Sequence, residues 1–119
     1  MLKEKTVEIE GLTITVREAD LRAGFHRARL QGELIYNAHL DQHDPDLANV
    51  YLVYADLVAG TSSVEGMEWP LLPDAFCQLS DAWFDRVGYA WLGAVREVNP
   101  HWAPAMMEAV QGETQAAVE

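Results

Sequence analysis

The chain has a single cysteine, Cys77, among 119 residues, so it can form no internal disulfide. That cysteine falls in an apolar helical pattern and reads as a small buried hydrophobe rather than a nucleophile. Basic side chains are also scarce: eight Lys and Arg stand against nineteen Asp and Glu, for a formal net charge of −11. A surface that negative repels nucleic-acid phosphates and anionic membranes, which sets both aside as partners. No apolar run has the length of a membrane span, and the opening Met-Leu-Lys-Glu-Lys carries charges of both signs. Neither a signal peptide nor a spanning helix is read, and the cytoplasm is the expected location. A Gly-rich phosphate loop, a nucleophile elbow and a Ser-His-Asp grouping are missing too, as are internal repeats and low-complexity runs.

What is present fits one soluble domain spanning residues 1–119. Half of the residues are hydrophobic and 23% are charged, which is globular composition, and a chain of this length buries enough surface to fold without staples. The charge is unevenly placed. Residues 1–29 hold six basic and five acidic side chains, whereas residues 30–119 hold two basic ones, Arg86 and Arg96, against fourteen acidic. Arg22, His26 and Arg29 share one face of a predicted helix. They read as a solvated stripe, or as a contact surface for an acidic partner, rather than as a phosphate site.

The fold class expected is α+β, mainly α: an N-terminal β-hairpin followed by a bundle of about four helices. Val7 and Ile9 alternate with polar residues, as do Leu12, Ile14 and Val16, and Glu10-Gly11 between the two runs supplies the turn. A two-stranded sheet is marginal alone, so its apolar face must lie on helices or on a second hairpin, and its open edge is a natural pairing surface. From Ala19 the period changes. Leu21, Phe25, Ala28, Gly32 and Ile35 mark the expected inner stripe of a first helix, which Asp20 starts and which reaches about residues 39–42. The second helix, with Leu47, Val50, Tyr51, Tyr54, Leu57 and Val58 on one side and Leu52 and Val53 on the other, is apolar nearly all round and is expected at the centre. Residues 62–73 read as a loop. Phe76, Leu79, Trp83, Val87, Trp91, Ala94 and Val98 then hold one helical face, with a fresh start at Ser80-Asp81 and a stop at Asn99-Pro100. A short last helix is expected over residues 103–111, and residues 112–119 read as a flexible tail.

The stretch Ala-His-Leu-Asp-Gln-His-Asp-Pro-Asp-Leu, residues 38–47, raises the question of metal binding, because His39 and His43 stand four apart. Pro45 suits the first position of a new helix with Asp44 as its N-cap, which leaves His43 at or beyond the end of the preceding helix, where the two imidazoles need not share a face. Position 40 is Leu, not the glutamate that zinc-binding helices place after the first histidine, and no second His or Cys cluster supplies further ligands. The stretch therefore reads as a capped turn between helices. Asp81 and Asp85 lie off the apolar stripe beside Arg86 and read as a solvated face. His26 and His101 are isolated. No enzyme, no cofactor and no metal are expected.

Apolar surface is the remaining asset. Trp69, Trp83, Trp91 and Trp102 all fall in the second half, with Met67, Met106 and Met107 near them. Trp83 and Trp91 are expected in the core, while Trp69 and Trp102 lie in proline-containing connections and the Met106-Met107 pair on a terminal helix. Such surfaces suit helical or poorly folded partners, and an acidic exterior keeps the complex soluble.

Three segments, "VEIEGLTITVRE" at the hairpin, "VEGMEWPLLP" in the loop and above all "WLGAVREVNPHW" from Trp91 to Trp102, resemble the tail assembly chaperones of long-tailed bacteriophages and prophages. The resemblance covers about a third of the chain, carried by Val95, Val98, Asn99, Pro100, His101 and Trp102, with Trp69-Pro70 and Pro73 in support. It implies a small α+β protein that binds the aggregation-prone tape measure protein before the tail tube polymerises, with the tail tube protein as a further partner. It also implies a homo-oligomer that acts in the host cytoplasm and leaves the particle, and a longer frameshifted form of the same gene. The family carries no catalytic residues. Hydrophobic capture through Tyr51, Tyr54, Trp69, Trp102, Met106 and Met107 is the mechanism expected, with copies joined through hairpin edges. The alternatives are another phage structural component, such as a head-tail connector piece, or a small helical metal-binding protein using His39 and His43.

Overall fold

The computed structural model describes residues 2–38 and 45–102, and these form an α+β structure, mainly α, in which an N-terminal hairpin precedes the helices. Strands β1 (Glu4–Ile9) and β2 (Leu12–Arg17) pair antiparallel with Ile9 opposite Leu12. That register leaves a two-residue turn, Glu10-Gly11, with φ of 50° and 84°. Two positive φ values match the right-handed twist of the strands, and Gly11 accepts the second without strain.

A third strand, β3 (Thr61–Glu65), pairs antiparallel with the other edge of β2, giving the order β1-β2-β3 with an irregularity between Thr15 and Val16. This corrects the expected loop over residues 62–73. With Val64 its one apolar residue, the segment lacks a strand's alternation, and its pairing comes from the backbone groups that β2 presents. One consequence is that β2 is central: Leu12, Ile14 and Val16 are all buried, and only β1 keeps a free hairpin edge in this sheet.

Helical segments complete the described chain. Helix α1 (Leu21–Ala38) starts where Asp20 Oδ1 accepts the Ala23 backbone N–H at 2.8 Å. Helix α2 (Pro45–Ala59) has proline at its first described position and buries Tyr51, Tyr54, Ala55, Asp56, Leu57 and Ala59. The capping role given to Asp44 lies outside the described residues. Helix α3 (Pro73–Cys77) is short. Ser80 Oγ then accepts the Trp83 N–H at 3.0 Å and opens α4 (Asp81–Trp83), which continues through a π-helical turn (Phe84–Gly88) into α5 (Tyr89–Val98). A 3₁₀ turn over Pro100–Trp102 follows. The helices expected at 103–111 and up to residue 42 lie outside the described residues.

The core sits where α5 crosses the sheet and meets α2. Val87, Trp91, Ala94 and Val98 are buried on the face expected from their spacing, together with Phe76, while Leu79 and Trp83 are half-buried against it. Trp91 has no exposure, and its indole N–H donates to Thr61 Oγ1 at 2.9 Å, so the one polar atom of the ring is satisfied. Asn99 is also fully buried. Its Oδ1 accepts the Ala19 N–H at 2.8 Å, and its Nδ2 donates to the carbonyls of Arg17 and Val95 at 2.9 and 3.1 Å. One amide thus ties the end of β2 to the end of α5.

Helix α1 departs from expectation. Leu21, Phe25, Ala28 and Gly32, read as its inner stripe, are exposed, and Ile35 is half-buried. The helix turns its other face inward, with Ala23 buried and Arg27, Leu30 and Leu34 half-buried. The physical reason is Asp56, an acid in the last turn of apolar α2 that is 1% exposed and whose Oδ1 accepts from Arg27 Nε. A buried carboxylate without a cation is far costlier than an exposed Phe, so the pair fixes which side of α1 faces inward.

Candidate partner-binding surface

Asp56 is the anchor of the region. Besides Arg27 it receives Arg96, which donates from Nε and Nη2 to Oδ2 at 3.2 and 3.0 Å. The Arg27 guanidinium also lies over the Trp102 ring, 4.6 Å from its centroid. One acid therefore holds α1, α2 and α5 together, and the indole of the closing 3₁₀ turn covers the cluster.

With that face committed, α1 presents Leu21 at 83% and Phe25 at 73% exposure. Phe25 lines an open cleft of about 990 Å³ formed by the end of β2, the first half of α1 and the end of α2. Arg17, Arg22, His26 and Arg29 line it, with Phe25 and Val58 supplying apolar wall. Asp20 is the one acid in the lining, and it is engaged as the α1 cap. Arg29 reaches Glu33 at 3.8 Å in an exposed pair of small worth, and Arg17 and Arg22 enter no side-chain ion pair among the described residues. Three arginines and a histidine converge here on a chain whose net charge is −11. The stripe of Arg22, His26 and Arg29 was visible in the sequence; Arg17, which joins it from β2, was not.

A second groove, of about 390 Å³, runs between α2 and the α3–α4 segment, with Val50, Val53, Leu79, Trp83 and Phe84 among its lining. Cys77 stands at its side, half-buried, its thiol held above the ordinary range by burial and by the Asp74 carboxylate. A thiol kept protonated is a poor nucleophile.

The residues expected to capture a partner fall differently. Tyr51 and Tyr54 lie on the buried side of α2, 9% and 5% exposed. Burial raises the phenol pKa of both; for Tyr51 the nearby Cys77 and Asp74 add to it. The Tyr54 hydroxyl donates to the Leu71 carbonyl, which pins the loop over α2. Trp102 is 4% exposed, packed beside Gly60 and under Arg27. Trp69 is half-buried in an aromatic cluster, 4.6 Å from Trp91 and 6.4 Å from Tyr54 and Phe76 between ring centroids. Tyr51, Tyr54 and Trp102 are thus buried rather than accessible in this fold. Met106 and Met107 lie outside the described residues, as do His39 and His43. Exposed apolar surface comes instead from Leu21, Phe25, Leu72 and Tyr89.

Among the described residues no three or more His, Cys, Asp or Glu side chains converge as a metal site would require, and no helix is long and apolar enough to cross a membrane. Comparison with family models, with curated proteins and with solved structures returns no match.

Proposed function

We propose that this protein is a non-enzymatic assembly chaperone of a long-tailed phage or prophage, which covers the tape measure protein in the host cytoplasm before the tail tube polymerises. One observation carries the reading: α1 leaves Leu21 and Phe25, four residues apart on one helix face, more than two-thirds exposed. Large side chains at helical spacing on an outer face are what a helical partner's apolar stripe packs against. The resemblance of the Trp91–Trp102 segment to tail assembly chaperones supplies the identity of the partner. The strongly acidic remainder of the surface opposes association between loaded copies. Several copies act on each partner chain, with β1 as the sheet edge available for joining them.

The test is co-expression with the long coiled-coil product of the tape measure gene. The tape measure protein is expected in the soluble fraction when this chain is present, in the pellet when it is absent, and the chaperone itself is expected to be missing from purified particles. Equal solubility with and without it refutes the reading. Stable incorporation into particles marks a permanent structural component instead.

A further inference from the structure

We propose that the cleft at the start of α1 is the partner site, and that the helix it accepts is amphipathic, with an apolar stripe flanked by carboxylates. The inference rests on the chaperone reading and adds the place and the charge of the partner.

Two features that meet at Phe25 carry it. The first is shape: Leu21, Phe25, Ala28 and Gly32 follow the spacing of a helix-pairing seam, all four exposed, with Phe25 large and Gly32 having nothing within 4 Å of where a Cβ would lie. A seam alternating bulk and space is a surface for another helix rather than for an extended strand. The second is charge. Arg17, Arg22, His26 and Arg29 line the cleft that Phe25 joins to that seam, and the acid among them is already spent on the α1 cap. Everywhere else the chain is predominantly negative, so carboxylates on a partner are attracted at this cleft and repelled from the other faces. The repulsion therefore fixes both the docking place and the partner's orientation.

Two other occupants are less well matched. A second copy seated with its α1 antiparallel on this one brings one α1 acid, Glu33, for the three arginines Arg17, Arg22 and Arg29 of each copy, so most of the doubled arginines lack a carboxylate. Nucleic acid meets a cleft of the right sign, but the acidic body around it repels a long phosphate chain and Leu21 and Phe25 stay without a use.

The experiment uses the full chain and two labelled helical peptides of about five turns each, identical in their leucine stripe and flanked by Glu in one and by Lys in the other. Fluorescence anisotropy is expected to show the Glu peptide binding at least about tenfold more tightly than the Lys peptide. The paired change Arg22→Glu with Arg29→Glu is expected to weaken the Glu peptide by about tenfold, Phe25→Ser to weaken both peptides, and Arg86→Glu, at a residue that pairs with Glu10 of the hairpin turn and does not line the cleft, to change neither. If the paired variant does not fold, as read by circular dichroism, the wild-type chain still decides: affinity for the Glu peptide must fall between about 50 and about 300 mM salt. Equal or tighter binding of the Lys peptide, salt-independent binding of the Glu peptide, or tighter binding of a labelled single-stranded oligonucleotide each overturns the proposal. So does a sedimentation result in which Phe25→Ser converts an oligomer to a monomer while peptide affinity stays unchanged, since the seam is then a self-interface. Solubilisation of the tape measure protein that survives loss of this peptide site leaves the chaperone reading standing and removes only the cleft as its docking place and the acidic character of its partner; peptide binding without any effect on tape measure solubility does the reverse.

Discussion

Arg96 grips Asp56 through Nε and Nη2, both on the same carboxylate oxygen, and so closes α5 onto α2 from the side opposite α1. Asp56 is the single acid in the buried part of α2, and Arg27 and Arg96 are each 22% exposed. Asp56→Ala leaves two guanidinium groups with no carboxylate between them, and a loss of about 3–5 kcal/mol is expected in urea unfolding. Adding Arg96→Met to that variant should recover part of the loss, since a cation without a partner is then replaced by an apolar chain. A double-mutant cycle measures the coupling.

Asn99 makes three hydrogen bonds from one buried amide. Asn99→Asp replaces the donating nitrogen with an oxygen that faces two carbonyls, those of Arg17 and Val95. It should therefore cost more than Asn99→Ala, which is expected to lose about 2–3 kcal/mol. Chemical denaturation of both variants at neutral pH gives the order, and an Asp variant as stable as wild type would contradict the bonding described.

Gly60 and Gly93 should respond to alanine in opposite directions. A Cβ at Gly60 would lie 2.5 Å from Val95 Cγ1 and 3.0 Å from the Asp56 carbonyl, which is backbone and cannot step aside. Gly60→Ala is expected to destabilise by about 1–3 kcal/mol. Gly93 lies exposed inside α5 with nothing within 4 Å of its Cβ direction, so Gly93→Ala should stabilise by about 0.5–1 kcal/mol. Thermal melts of the two variants are sufficient.

Alkaline pH should unfold the chain through its buried protonated groups. Burial holds the Tyr54 phenol above its ordinary value of 10.0, and the Cys77 thiol is held above 9.0. Where the folded state keeps a proton that the unfolded chain gives up, stability is complete below the unfolded pKa and falls as pH rises towards the folded one. The decline is expected to begin near pH 9 and steepen past 10. Tyr54→Phe should lose about 1 kcal/mol at neutral pH with the bond to Leu71, and should show a shallower alkaline limb. Urea midpoints across that range read both effects.

The outward face of α1 carries a prediction of its own. Leu21→Ser and Phe25→Ser should each change stability by no more than about 0.5 kcal/mol, whereas the same change at Leu57, which has no exposure, should be severe. Parallel destabilisation of the two α1 variants and the Leu57 variant would mean that α1 packs the other way round.

The sequence announced the hairpin and α5 because each has a period that only one structure satisfies: alternate residues at Leu12, Ile14 and Val16, and three-four spacing from Val87 to Val98. Helix α1 was legible as a helix but not in its rotation. A stripe of apolar residues states that one face wants cover, not what covers it. The deciding residue, Asp56, is in a different helix, and its need for Arg27 and Arg96 appears only when the three segments are adjacent. A sign was nevertheless present in the "YLVYADLVA" run, where a lone acid amid apolar residues asks for a cation. Strand β3 was hidden for a related reason: its pairing comes from β2's free backbone groups, and its own Ser-rich sequence has little to show. The same logic separates the two halves of the candidate surface. Arg22, His26 and Arg29 share a helix and could be grouped by spacing, while Arg17 arrives from a strand and is grouped only by the fold. Tyr51, Tyr54 and Trp102 looked available because sequence records hydrophobicity, not enclosure.

The amide of Asn99 has a consequence for the order of synthesis. Its bonds reach back to Arg17 and Ala19, more than eighty positions earlier for Arg17, and the strand between those residues and the turn is covered by Trp91 and Val95 of the same late helix. The hairpin is made before α5, yet α5 is the helix that crosses it and Asn99 supplies the bonds at its end. A nascent chain interrupted before α5 therefore has a sheet without the helix that crosses it and an Asp56 carboxylate lacking Arg96.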